Sequence, residues 1–298
     1  MDMSVLLKTH ILSRDSNPVY YGITFLFLTF SVFGSFAQEK ISIEGEVQTT
    51  NGVPIPYCSV IIKSKQKGTY SDLEGKFEIM TNREDSLFFS HLSFKNRSLA
   101  VKDLIGNLSN NILLDSTTNT IPIVDIVPKA MKLIKYRNTK TSFLASEAGQ
   151  GFTIAYHLTD HVGGILQEVT FYMIKPVAQA TVLAGIRVFK KAKKMSSENN
   201  LYLKNDVRRV KKRKLKIDFS NFNIEIPPEG ILIGLECISS TPEDFGYRTG
   251  RLMIEYTGGL NSNKTYGSSW GNDWRLHREV HKGEFQNMKL SYKVLVEE

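Results

Sequence analysis

From Gln38 onward the apolar residues of this chain recur at every second position, in short runs of β-branched and aromatic residues broken by Gly, Asn, Pro and Ser. Period two is the pattern of a strand with one face buried, and no long stripe of helical period competes with it. The runs fall at 41–47, 58–63, 76–80, 86–92, 98–101 and 111–114, and then at 151–158, 165–174, 181–189, 214–219, 231–238, 251–256 and 289–296. The expected fold is therefore all-β. It consists of a small antiparallel sandwich of about 80 residues followed by a second, jelly-roll-like antiparallel sandwich. With 2 cysteines in 298 residues and 41% hydrophobic residues, the sheets must be held by apolar burial. No disulfide framework or Cys-x-x-Cys zinc site is available. Cys58 and Cys237 each lie in an alternating run and read as small buried hydrophobes.

The ends of the runs set the organisation. Residues 23–33 carry no charge, follow Lys8 and Arg14, and precede Ser35-Phe36-Ala37, the grammar of a cleaved export signal. The expected parts are a signal peptide at 1–37, a first domain at 38–115, a linker at 116–148 and a second domain at 149–298. The linker is polar and turn-rich, with one short strand in Ile121-Pro122-Ile123-Val124-Asp125-Ile126-Val127-Pro128 and room for a brief helix at 129–136.

Within the first domain, Gly45-Glu46-Val47 precedes Gly52-Val53-Pro54-Ile55-Pro56-Tyr57-Cys58-Ser59-Val60, and Gly68-Thr69-Tyr70-Ser71-Asp72-Leu73-Glu74-Gly75-Lys76-Phe77 follows. The prolines cannot donate to a ladder and mark a turn between strands. Gly75 can take a positive φ, and Asp72 can fold its carboxylate onto nearby backbone N–H groups. Together these residues resemble the carboxypeptidase-like regulatory domain, a transthyretin-like β-sandwich. The later run through Leu92-Ser93-Phe94 departs from that family's usual aromatic-Ile-Gly-Tyr ending. In metallocarboxypeptidases this sandwich is an accessory module and the zinc lies in another domain. The resemblance thus implies a binding or adaptor role without catalysis. The second half, with Leu215-Lys216-Ile217-Asp218-Phe219 ahead of Ile226-Pro227-Pro228-Glu229-Gly230, resembles an uncharacterised sandwich that follows such domains in secreted bacterial proteins.

Few side chains suggest chemistry. His157/His161 and His277/His281 show His-x-x-x-His, but a strand would separate His157 from His161 by about 13 Å, too far for one zinc. The second pair lacks the Glu position of His-Glu-x-x-His and a third ligand. Asp72 and Glu74 offer too few oxygens for calcium. No cofactor is expected, and a metal-dependent hydrolase is the remote alternative.

Two stretches could bind. Residues 190–216 hold twelve Lys and Arg against Glu198 and Asp206, a local +10 in a chain of net +8. They read as a long exposed hairpin in which Lys194, Arg208, Arg209, Lys211, Lys212 and Arg213 could meet an anion. In the segment 258–274, Tyr266, Trp270 and Trp274 stand among Gly, Asn and Ser, where they could stack on sugar rings or pack at the sandwich rim. The expected protein is exported to the periplasm or outer membrane of a Gram-negative envelope. It would act as a non-catalytic adaptor for an envelope protein, with a TonB-dependent receptor system as one candidate. A carbohydrate-binding module using Trp270 and Trp274 is the alternative. Acidic polysaccharide or lipopolysaccharide suits the basic segment; nucleic acid does not suit an exported chain.

Overall fold

The computed structural model describes residues 40–298 except 107–109, 118–129, 138–144, 177–180, 194–198, 203, 240–251, 261–263, 277–278 and 282–283. The expected signal peptide and the 121–128 strand lie outside the described residues, as does Lys194.

The first sandwich is made by β1 (Ile41–Thr49), β2 (Ser59–Ile62), β3 (Lys67–Tyr70), β4 (Lys76–Thr81), β5 (Ser86–His91), β6 (Phe94–Ala100) and β7 (Asn111–Leu114). Its sheets have the orders β4-β1-β7 and β3-β2-β5-β6. All pairings are antiparallel except that of β1 with β7. In β4 the alternation is complete: Phe77, Ile79 and Thr81 are buried while Lys76, Glu78 and Met80 are exposed. Opposite them, Val60, Ile62, Leu87 and Phe89 close the core. Each such side chain removed from water contributes about 1.5–3 kcal/mol before entropy is counted. The turn into β4 forms as its residues dictate, with the Glu74 and Lys76 amides donating to Asp72 Oδ1 at 3.0 and 2.8 Å and Gly75 at φ +77°. Cys58 is fully buried, and burial pushes its thiol up to about 12, so it packs and does not react.

The second sandwich comprises β8 (Met131–Arg137), β9 (Ala145–Ala148), β10 (Phe152–Leu158), β11 (Ile165–Tyr172), β12 (Leu183–Lys190), β13 (Val207–Arg209), β14 (Lys214–Asp218), β15 (Ile224–Glu225), β16 (Ile231–Ser239), β17 (Leu252–Leu260), β18 (Thr265–Ser269), β19 (Arg275–Leu276), β20 (Glu279–His281), β21 (Glu284–Met288) and β22 (Leu290–Glu297). One layer is the sheet β13-β12-β16-β10-β18-β19. Facing it are β14-β11-β22-β8, with β15 beside β11, and β20-β21-β17-β9. No α-helix occurs among the described residues.

Two sequence expectations are corrected here. The stretch 116–148 is not only a connector, because β8 pairs with β22 and β9 with β17, both in the second sandwich. The brief helix at 129–136 is instead β8, held by seven register pairs, with the Tyr136 ring stacked 4.7 Å from Tyr292. Tertiary pairing overrides the local preference. Nor is 190–216 a simple exposed hairpin. Its β13 folds back onto β12, and β14 then crosses to pair with β11 in the opposite layer. Tyr202 and Val210, on either side of β13, are buried, and Asp206 accepts from the Tyr202 hydroxyl at 2.9 Å and from Nε and Nη2 of the Arg208 guanidinium.

The central strands of the second sandwich are buried on both faces. Ile154, Ile186, Val188, Ile231, Ile233 and Leu235 point into its own core. Their neighbours Ala155, Phe189 and Leu232 form a separate apolar patch, against which Leu92 of the first sandwich packs. Residues 41–298 therefore form one compact unit, with the two sandwiches meeting along the outer face of this sheet.

Candidate functional site

The meeting face is built from strand alternation. In β12 the residue between Ile186 and Val188 is Arg187; in β16 the one between Leu235 and Cys237 is Glu236. Both therefore point away from the core of their own sandwich and would be solvated if nothing covered them. The first sandwich covers them, leaving Arg187 5% and Glu236 7% exposed. Gly185 stands directly across from Glu236, and a Cβ there would lie 2.8 Å from the Arg187 guanidinium carbon. The glycine leaves the lane through which Arg187 Nε reaches Glu236 Oε2 at 2.6 Å. The other carboxylate oxygen accepts from the Tyr70 hydroxyl, on β3 of the first sandwich, at 2.6 Å.

Every charge in this seam is answered. Burial and the neighbouring Glu236 carboxylate hold the Tyr70 hydroxyl well above the usual phenol range, so it stays a donor. His91 is pushed down to about 4 by burial and by the Arg187 charge, and so is neutral at pH 7. Its Nδ1 accepts the Ser93 amide at 3.2 Å, which puts the proton on Nε2. That Nε2 is buried without a partner among the described residues.

Trp270 closes one side. It has φ +50°, and its ring stacks on Tyr70 with centroids 5.2 Å apart. Gly151, at φ +75°, lies against the ring so closely that a Cβ would sit 2.2 Å from it. On the other side the Asn205 side-chain amide donates to the Pro56 carbonyl at 3.2 Å. The rings and strands leave a cavity of about 300 Å³ between the sandwiches. Its walls include Phe88, Ser90 and Asn96 from the first sandwich and Arg187, Asn205 and Trp270 from the second. A space of this size is at the lower end for a small-molecule site.

The three aromatic candidates do not form one platform. Trp270 lines the cavity, but its ring is engaged by Tyr70 and Gly151. Trp274 packs edge-on against Phe189, and its Nε1 is buried. Tyr266 carries the Lys191 ammonium 3.2 Å above its ring, where burial lowers that lysine to about 8. The basic candidates also divide. Arg208 is consumed by Asp206, whereas Arg209, Lys211, Lys212 and Arg213 are exposed.

The histidine motifs are not brought together into a metal site among the described residues. His157 is the penultimate residue of β10 and bonds the Glu229 carbonyl at 2.9 Å, while His161 sits in a left-handed turn. His277 lies outside the described residues, and His281 is in strand β20. Cys237 is fully buried and makes no disulfide. Arg187, Glu236 and His91 escaped the sequence reading, although two charged residues inside otherwise apolar alternating runs were a visible signal that the outer face is covered.

Residues 43–127 match the family model of the CarboxypepD_reg-like domain, so the first sandwich is the module whose motifs the sequence carries. A comparison with curated proteins finds no match. Among solved structures the chain is similar to the "Structure of infectious bursal disease virus Gx strain", at 10% identity and a TM-score of 0.21. That similarity covers 87% of this chain and 52% of the viral one, so the chain spans about half the viral chain's length.

Proposed function

We propose that this protein is an exported, non-catalytic binding or adaptor protein of the cell envelope, with its recognition site at the cleft between the two sandwiches. The observation that carries the reading is the cavity of about 300 Å³ whose walls come from both sandwiches. A regulatory-like module fused to a second sandwich gains a shaped, composite surface that neither possesses alone. The buried Tyr70–Glu236–Arg187 chain at its edge fixes the two walls relative to one another. Such preorganisation lowers the cost of ordering the site on binding.

Carbohydrate is the second reading, favoured by the amides of Asn96, Asn205 and Asn272 around the same cavity. Amides and neutral donors suit hydroxyls, although the Trp270 face is already used. Immobilised residues 38–298 challenged with an envelope extract and, separately, a glycan array separate the two. The adaptor reading expects one retained envelope protein and no glycan. A glycan retained by the wild type and lost on Asn272→Ala would favour the saccharide, and retention of neither would sink both readings.

A further inference from the structure

Strict alternation along β5 would send Leu87, Phe89 and His91 together into the core of the first sandwich. Leu87 and Phe89 do pack in that core. Between Phe89 and His91 the β5–β6 register shifts, and a bulge of this kind re-aims the side chain that follows it. His91 accordingly lines the cavity between the sandwiches, beside Phe88 and Ser90. Its Nδ1 is occupied by the Ser93 amide at 3.2 Å. The two ring nitrogens diverge, so Nε2–H points away from that turn, and the charge that bears on the ring is that of Arg187, on β12 across the cavity. The side chain is 8% exposed, and Nε2 has no partner among the described residues. A buried donor is rarely left so, because its lost hydration is then uncompensated.

The other groups on the walls decide what would answer this donor. Glu236 already accepts from Tyr70 and Arg187, and the Ser90 carbonyl accepts from Ser59 Oγ at 2.8 Å. Lys63, by contrast, is exposed at the rim with its ammonium 3.3 Å above the Phe88 ring, and it makes no ion pair among the described residues. These acceptors are engaged while two donors remain, so a ligand must bring an acceptor of its own. The charged lining residues are Lys63 and Arg187 against Glu236, a net +1 with His91 neutral, which favours an anion. Ile61, Phe88, Leu92 and Phe189 make much of the lining apolar, and a volume of about 300 Å³ keeps the body of the ligand compact. A phosphate would bring more charge to a place where one donor converges, without the forked cation that holds such groups. Phe88 is three residues from His91 along β5, or about 10 Å at strand rise. Lys63 therefore acts from the rim, within a Debye length at 0.1 M salt, and does not share one carboxylate with His91.

We propose that the cleft recognises a carboxylate carried on a compact apolar group, with one carboxylate oxygen accepting the His91 Nε2–H. This deepens, and rests on, the reading of the cleft as the recognition site. A free aryl or branched aliphatic acid and the C-terminal residue of a partner chain share this chemistry. A carboxylate set against His91 raises the proton affinity of the ring, so binding takes up a proton and strengthens as pH falls from 7 to 5. The charged and titratable groups around the ring are Arg187 on β12, Glu236 on β16, Tyr70 on β3, and Tyr57 and Lys63 on either side of β2. Tyr70, held well above the usual phenol range, does not change state in that window.

The test titrates phenylacetate, and phenylacetamide as its uncharged counterpart, into the purified protein while the histidine ring nitrogens are followed by NMR. His91→Gln assigns the His91 signals. Phenylacetate should shift the Nε2 resonance of His91 and raise its titration midpoint from about 4. It should also bind at least about threefold tighter at pH 5 than at pH 7. Affinity should fall at least about tenfold for phenylacetamide on the wild type and for phenylacetate on His91→Leu, the worth of a hydrogen bond to a charged acceptor. Equal affinity for acid and amide, or a His91 signal that phenylacetate does not move, would overturn the proposal and leave this donor to solvent. If His91→Leu does not fold, the wild-type signal decides. Peptides ending in phenylalanine, as free acid and as amide, separate the two sources: an acid-selective peptide places a chain end in the cleft, and phenylacetate bound while both peptides are excluded assigns a free acid. The cleft reading is judged apart from this, by capture of an envelope protein. Capture lost in Asn96→Trp, with no binding of phenylacetate to the wild type, would remove the carboxylate and keep the cleft. Phenylacetate bound at His91, with capture undiminished in Asn96→Trp, would keep the carboxylate site and remove the adaptor's use of it.

Discussion

Arg187 and Glu236 carry the sharpest expectations at the scale of single residues. A buried ion pair often adds little to net stability, because desolvating both charges offsets most of their attraction. Removing one partner is different, since it strands the other. Arg187→Met is expected to cost about 3–5 kcal/mol in chemical denaturation. The triple change Tyr70→Phe, Arg187→Met, Glu236→Leu removes every partner together and should return most of that loss; a triple variant as unstable as the single one would contradict this account. His91 adds a pH dependence. Its folded value of about 4 lies below the ordinary 6.5, so as pH falls the unfolded chain takes up the proton first. The contribution is fully present above pH 6.5 and is lost between 6.5 and 4, amounting to roughly 3 kcal/mol. Denaturation midpoints across that window should fall more steeply for the wild type than for His91→Gln. Parallel curves would remove His91 from the explanation.

At the scale of elements, the sequence was most legible where local chemistry decides conformation. The Asp72–Gly75 turn and the alternation of β4 required nothing beyond their own residues. Legibility failed where pairing comes from far away. β8 reads as a polar connector because Lys132, Lys135 and Arg137 interrupt it, and only β22 makes it a strand. The basic segment was legible as charge but not as structure, since the buried Asp206 and Tyr202 that organise it are two residues among many cations. The seam residues 70, 91, 151, 187, 236 and 270 have no shared motif at all. Gly151 shows what the seam demands of one loop. Gly151→Ala would place a methyl inside van der Waals range of Trp270 at a positive φ, so it should push the ring off Tyr70. A loss of about 2 kcal/mol with red-shifted tryptophan emission is expected, as for other changes that combine overpacking and backbone strain. Unchanged emission and stability would place Trp270 elsewhere than against this glycine.

At the scale of the whole molecule, two sandwiches with separate cores share a face that is apolar at Leu92 and Phe189 and hydrogen-bonded at Tyr70. Their coupling predicts one cooperative transition in calorimetry for residues 38–298, and two for Tyr70→Ala, which removes both the ring contact and the hydrogen bond. Two transitions in the wild type would mean that the sandwiches unfold independently. The same coupling is what makes the cleft a candidate site rather than a gap between neighbours. Asn96 is exposed at its mouth, so Asn96→Trp narrows the cavity without entering either core. Capture of an envelope partner by the wild type and by Asn96→Trp, with matched unfolding curves, tests the central claim most directly. The cleft account predicts that the variant folds normally and loses the partner. Undiminished capture by the variant would place recognition elsewhere on the molecule and contradict it.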